Sequence, residues 1–292
     1  MDFTNGSELI EICKKQGLKI SDVMLKREIS LGKLSEKEVL EKLNHSLDIM
    51  KESAKLSIET PQKSMGGLIG GEARRFWDKL KNNKTKDICG SIMSKAICYG
   101  LSVLEVNSSM GLVVAAPTAG SCGVIPGILL SLQEAYGFSD DEILRALLNA
   151  SAVGYLFMRN ASVSGAQSGC QAEIGAASSM GASAITELLG GTAESCLKAA
   201  STAISNLLGL VCDPIGGLVE SPCQTRNAIG ISNAFISSEL ALAGIGHIVP
   251  FDEMVQAMLE VGRKIPYELK ETALGGSAAT PTGCSFNCGS CR

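Results

Sequence analysis

Apolar residues recur every three to four positions along much of the chain, and nowhere do they alternate for long enough to predict a strand. The clearest helix starts at "SEKE", residues 35–38, a capping box in which Ser35 and Glu38 satisfy each other's backbone N–H. Behind it, Leu40, Leu43, Leu47 and Met50 mark one helical face. A second box, Ser139 to Glu142, opens a helix whose Ile143, Leu147, Ala150, Gly154 and Phe157 keep to one side. Helices are also predicted over 171–189 and 197–210, where Ala, Gly and Ser predominate. The pattern predicts an all-α fold, a compact helical bundle of small-residue helices that pack closely. Residues 1–63 form a polar, Lys/Glu-rich helical segment, 64–283 the main helical domain, and 284–292 a cysteine-rich tail. At the first boundary, "PQKSMGGLIGGEARR" (61–75) breaks the periodicity with four glycines, as a functional loop would.

Composition narrows the function. Hydrophobic residues make up 45% and aromatic residues only 4%, so the core must be built from aliphatic and small side chains. Residues 106–133 carry no charge, and a membrane span needs only ~20 apolar residues. Pro117, Pro126 and several glycines interrupt the stretch, which therefore reads as buried helix, loop, buried helix. A net charge of −4 with dispersed Lys and Arg excludes a nucleic-acid footprint. The eleven cysteines are odd in number, and the N-terminus has no secretory pattern, so a cytoplasmic protein with reduced thiols is expected. Metal ligation, catalysis and plain burial remain as roles for them.

Cys13, Cys89, Cys98 and Cys196 lie in helical stretches and read as small buried hydrophobes. Other thiols sit in the breaks between helices: Cys122 in "APTAGSCG" (116–123), Cys170 in "RNASVSGAQSGCQAEIG" (159–175), and Cys212 and Cys223 in "VCDPIGGLVESPCQTRNAIG" (211–230). Beside Gly, Pro and helix starts a thiolate is stabilised. Thiolates from separate loops suit an iron–sulfur cluster better than the paired C-x2-C hooks of structural zinc.

Four stretches, "VAAPTAGSCGVIPG", "NASVSGAQSGCQAEIGAASSMGA", "GLVCDPIGGLVESPCQTRNAIG" and "LKETALGGSAATPTG", occur in order within about 66–283. Together they resemble the alpha chain of the bacterial iron–sulfur L-serine dehydratases, the serine deaminases that work without pyridoxal phosphate. The resemblance implies an all-helical catalytic domain over 64–283 and a [4Fe–4S] cluster whose three cysteine ligands fall on Cys170, Cys212 and Cys223. It also implies a separate beta chain as partner, because single-chain relatives carry an additional module ahead of this one. One motif departs: the family's usual Gly-Leu-Thr-Gly-Gly-Asp reads Gly67-Leu68-Ile69-Gly70-Gly71-Glu72, without the hydroxyl and with a longer acid.

Three thiolates on a cubane leave one iron open to act as a Lewis acid, which L-serine can chelate through its carboxylate and hydroxyl. Ser121, Asn160, Ser162, Ser164 and Arg226 are the candidates for gripping the carboxylate, against ordinary turn and capping roles for the loops and surface pairing for Arg226. The chain has only two histidines. His45 reads as solvated; His247, at an apolar helix end, reads either as a satisfied core residue or as the base, with the beta chain as another source of that base. A cysteine desulfidase would use the same open iron, and a non-catalytic iron–sulfur module would need docking patches that the sequence lacks.

The tail "GCSFNCGSCR" (283–292) has the C-x3-C-x2-C spacing of radical-SAM enzymes in Cys284, Cys288 and Cys291, but only Arg292 follows it, where that chemistry expects a barrel. A turn at Thr280–Gly283 would let the tail fold back, so that Cys291 becomes a removable fourth ligand of the cluster.

Overall fold

The computed structural model describes residues 2–82 and 86–286. Among them there is no strand; a single parallel bridge joins Cys212 to Lys270. The helices are α1 (Gly6–Gln16), α2 (Ile20–Gly32), α3 (Glu36–Glu59), α4 (Glu72–Lys81), α5 (Ser91–Ser108), α6 (Val124–Tyr136), α7 (Asp140–Asn160), α8 (Gly165–Ser168), α9 (Ile174–Leu188), α10 (Ala193–Ser205), α11 (Cys223–Leu242), α12 (Phe251–Lys264) and α13 (Pro281–Ser285). Both capping boxes form where the sequence places them: Glu38 N–H donates to Ser35 Oγ and Glu142 N–H to Ser139 Oγ, each at 3.3 Å. The two small-residue helices begin and end a few residues from the predicted limits, because 171–173 is a separate turn and 206–210 leaves the helix. No helix of the described residues is long and apolar enough to cross a membrane.

α9 is the axis of the molecule. Every residue from Ile174 to Glu187 is buried, and α6, α7, α10 and α11 pack around it. Glycines and alanines let these helices approach: a Cβ on Gly181 would lie 2.6 Å from Ile128 Cδ1, and one on Gly175 2.7 Å from Ile204 Cδ1. The hydroxyls on α9 find internal partners, Ser179 Oγ on Ala200 O (2.9 Å) and Ser183 Oγ on Asn149 Oδ1 (2.6 Å), as buried polar groups must. A second close contact joins α5 to α6, where a Cβ on Gly127 would stand 2.5 Å from Ala96 O and 2.9 Å from Ile231 Cδ1.

Residues 2–63 share this core. The buried apolar cluster runs without interruption from Phe3 through Leu9, Ile20 and Leu47 to Met258. Asp252 at the start of α12 accepts the N–H groups of Gly6 and Ser7 at the start of α1 (2.6 and 3.0 Å), and the Arg27 guanidinium lies 3.8 Å from the Tyr155 ring centroid.

Close packing at backbone level predicts that Gly127→Ala lowers stability by about 1–3 kcal/mol, because the contact at that position is a carbonyl that cannot rotate away. Gly154→Ala meets only the flexible end of Met180 (3.0 Å) and should cost clearly less. Urea unfolding of the two variants compares them, and equal midpoints would refute the backbone-contact account.

Candidate active site

Three loops converge on the N-terminus of α11, where Cys223 is the first helical residue. Asn227, one turn further along, is fully buried. Its Oδ1 accepts the Gly123 N–H (3.0 Å), and its Nδ2 donates to Gly120 O (2.8 Å) and Cys223 O (2.9 Å). One side chain thus fastens the 116–123 loop to α11. Arg226 fastens the second loop, with Nη1 on Val211 O (2.8 Å) and Nη2 paired with Asp213 at 2.7 Å. The glycine-rich 64–72 loop is held by Glu220, whose carboxylate accepts from Ser64 Oγ (2.6 Å), Gly66 N–H (2.6 Å) and Leu68 N–H (3.0 Å).

Cys170, Cys212 and Cys223 are all buried at this junction. Burial pushes the Cys170 and Cys223 thiols up to about 12, and the Glu173 carboxylate adds to the effect at both; Cys212 is raised further, by burial first and then by Cys170 and Glu173. Such a group of thiols has too much negative charge to ionise unaided and calls for a positive partner. Arg226 supplies part of it, favouring the thiolates of Cys170 and Cys223. Among the described residues, no three His, Cys, Asp or Glu side chains gather tightly enough for a single metal ion. A polynuclear cluster, with one thiolate per iron corner, does not require that closeness.

Glu173 completes the junction. Its Oε1 accepts from Thr118 Oγ1 at 2.7 Å, and its Oε2 lies 3.9 Å from Cys212 Sγ. Burial raises its pKa, against the hydroxyl of Thr118. Gly120 and Gly165 make room for it: a Cβ on Gly165 would fall 2.6 Å from Glu173 Oε2 and 3.0 Å from Cys212 Sγ. The sequence reading missed this carboxylate, although it lies three residues beyond Cys170 in a nearly charge-free segment, which was the available signal.

The family model described as "Serine dehydratase alpha chain" matches residues 15–278. The chain belongs to that family. It is 45% identical to the "L-serine dehydratase, alpha chain" of Peptoniphilus asaccharolyticus, with 96% of both chains covered. Identity to the "Probable L-serine dehydratase, alpha chain" of Bacillus subtilis (strain 168) is 42%, over 96% of this chain and 93% of that one. The "L-serine dehydratase" of Streptomyces coelicolor is 36% identical over 97% of this chain but only 62% of its own length.

The other predicted site residues of this family member are placed unevenly. Ser121 is fully buried, and its hydroxyl stays within its own turn, 3.2 Å from Thr118 Oγ1. Asn160 Nδ2 donates to Thr4 O (2.9 Å) and so holds the N-terminal segment. Ser162 Oγ donates to Gln167 Oε1 (2.7 Å), while Ser164 precedes α8 without a side-chain cap. Arg226 is not a surface residue; it is 13% exposed and committed to Asp213 and Val211. His247 follows α11 at the end opposite Cys223, and that helix of 20 residues is roughly 30 Å long. Its Nδ1 accepts the Val249 N–H at 3.1 Å. His45 is exposed, as expected. Cys13, Cys98 and Cys196 are buried, but Cys89 is exposed, because it precedes α5 instead of lying inside it. Cys122 is buried too, its thiol pushed up by desolvation.

Residues 276–285 pack beside the 213–217 segment. Ser277 N–H donates to Asp213 Oδ2 (2.6 Å), and α13, capped by Thr280, packs against the turn at Ile215–Gly217. Cys284 Sγ lies 3.5 Å from Ala278 O. Cys288 and Cys291 are outside the described residues. In the divergent Gly67–Glu72 motif, Ile69 is buried, and Glu72 accepts the Gly70 N–H at 2.6 Å beside the fully buried Glu105. Burial raises Glu105, while the backbone N–H groups of Ala73 (2.9 Å) and Gly71 (3.1 Å) bind it.

Proposed function

We propose that the chain is the catalytic subunit of an iron–sulfur L-serine dehydratase, converting L-serine to pyruvate and ammonia without pyridoxal phosphate. The observation that carries the reading is the burial of Cys170 together with Cys212 and Cys223 from the 211–230 stretch at one charged junction, in a member of the serine dehydratase alpha-chain family. In this reading the three thiolates hold a [4Fe–4S] cluster. Bound there, it would supply an iron without a protein thiolate, a Lewis acid that makes hydroxide a feasible leaving group.

The chain's own groups have distinct tasks. Arg226 offsets thiolate charge and, through Asp213 and Val211, fixes the strand-like passage on either side of Cys212. Thr118 orients Glu173, whose Oε2 lies 3.9 Å from Cys212 Sγ and receives the α-proton of serine. Loss of hydroxide from Cβ then leaves aminoacrylate, which tautomerises and hydrolyses to pyruvate and ammonia. A beta chain completes the enzyme: the relatives in P. asaccharolyticus and B. subtilis are named alpha chains, and the S. coelicolor protein has length beyond the 62% aligned here. When serine is absent, Cys291 would be a removable fourth ligand to such a cluster.

Anaerobic reconstitution tests the ligand set. Cys170→Ser, Cys212→Ser and Cys223→Ser should each lose the brown absorbance and serine turnover, while Cys196→Ser keeps both; a cluster that survives all three replacements would sink the assignment. Removal of 287–292, which leaves α13 intact, should preserve the cluster yet hasten its loss in air if Cys291 shields it. Sulfide from cysteine, with no pyruvate from serine, would indicate a desulfidase instead.

Glu173→Gln should retain cluster absorbance and lower kcat by about 100-fold or more, the usual contribution of a positioned acid–base group. Undiminished kcat would assign the base to the partner. The purified chain alone is expected to turn serine over poorly and to recover on addition of the beta chain; full activity alone removes the partner from the mechanism.

A further inference from the structure

A cleft of about 320 Å³ lies between the start of α2, the start of α7 and the C-terminal end of α9. α9 has 15 residues and is therefore ~22 Å long, so the cleft is separated from Cys170 and Glu173 by the length of that helix. Its floor is Glu187, which is 5% exposed. Glu187 Oε2 accepts from Asn149 Nδ2 (2.8 Å) and from the Ser21 N–H (3.4 Å). Among the described residues, no donor bonds Oε1 and no cation pairs with the carboxylate. Glu187 lines the cleft, and Oε1 is the carboxylate oxygen left for a ligand there. Glu187 also sits at the penultimate position of α9, where the helix dipole opposes an anion and attracts a cation.

The walls indicate what kind of cation. A hard metal ion needs several oxygen ligands, and no such group of side chains exists among the described residues. The cleft is many times the ~30 Å³ share of a water molecule, so it takes a molecule with more than a charge. Lys19 borders it, exposed and without an ion pair among the described residues, and Arg145 borders it too, held by Asp22 (3.1 Å) and Glu36 (3.6 Å). The remaining carboxylates at the rim are already engaged, Asp22 with Arg145 and the Lys19 N–H, Glu142 with the Ser139 cap. Ala146 and Leu188 give the cleft an apolar side.

We propose that this cleft binds a free aliphatic α-amino acid as its zwitterion, with the ammonium on Glu187 Oε1, the carboxylate toward Lys19, and the side chain against Ala146 and Leu188. The site is distinct from the one at which serine reacts, and the buried α9 connects them.

Calorimetric titration of the intact protein with L-valine, isobutylamine and isovalerate tests the assignment. L-Valine should bind saturably at one site per chain, isobutylamine at least about tenfold more weakly, and isovalerate not measurably, as expected when one charge-assisted hydrogen bond is lost. Glu187→Gln should weaken L-valine by a similar factor. Lys19→Gln, at the exposed N-cap of α2, should weaken L-valine and leave isobutylamine unchanged. Equal binding of L-valine by wild type and Glu187→Gln, equal affinity for isobutylamine and L-valine, or no saturable binding at millimolar ligand would each overturn the proposal.

Discussion

The structure depends on how near its helices come to α9. A helix with every residue from 174 to 187 buried has no solvent face, so its neighbours must surround it. They can do so only because Gly175, Gly181 and Gly154 leave no side chain in the way. Aromatic bulk would push the neighbours outward, which explains an aromatic content of 4%. The buried hydroxyls of α9 belong to the same constraint. A serine fills little space and hydrogen-bonds to the next helix or back into its own turn, so small volume and polar satisfaction are met together.

That packing puts the chemistry at the ends of helices. α9 begins just after Cys170 and Glu173, and α11 begins at Cys223. The loops between helices are then tied down individually by buried polar side chains, Asn227 for 116–123, Arg226 for 211–213 and Glu220 for 64–72. Cys212 and Cys223 thus stand beside backbone that buried side-chain hydrogen bonds hold in place.

The helical fold was legible because capping boxes and 3.6-residue periodicity are local signals: Ser35 and Ser139 each name a helix start that tertiary packing leaves unaltered. The thiol-bearing breaks were legible for the opposite reason, since Gly and Pro stand out against apolar helices. Pairings across long sequence separations were not legible. Nothing local tells that Asn160 answers to Thr4, or that Arg226 and Ser277 both bind Asp213. Glu173 was missed because one acid beside a thiol looks like a helix-start residue until Thr118, 55 positions away, is seen to bind it. His247 drew attention by scarcity, but scarcity is a property of composition, and 20 residues of α11 separate it from Cys223.

The departure at Gly67–Glu72 shows how the site tolerates change. A longer acid at position 72 reaches back to the Gly70 N–H, and Ile69 turns into the core where a hydroxyl would need a partner. The loop keeps its place because its attachment runs through Glu220, whose three hydrogen bonds fall on Ser64 and on the backbone of Gly66 and Leu68. Backbone donors are indifferent to most side-chain replacements. A loop held in that way can vary in the acid it presents while the segment between Cys212 and Cys223, to which Glu220 belongs, remains anchored against it.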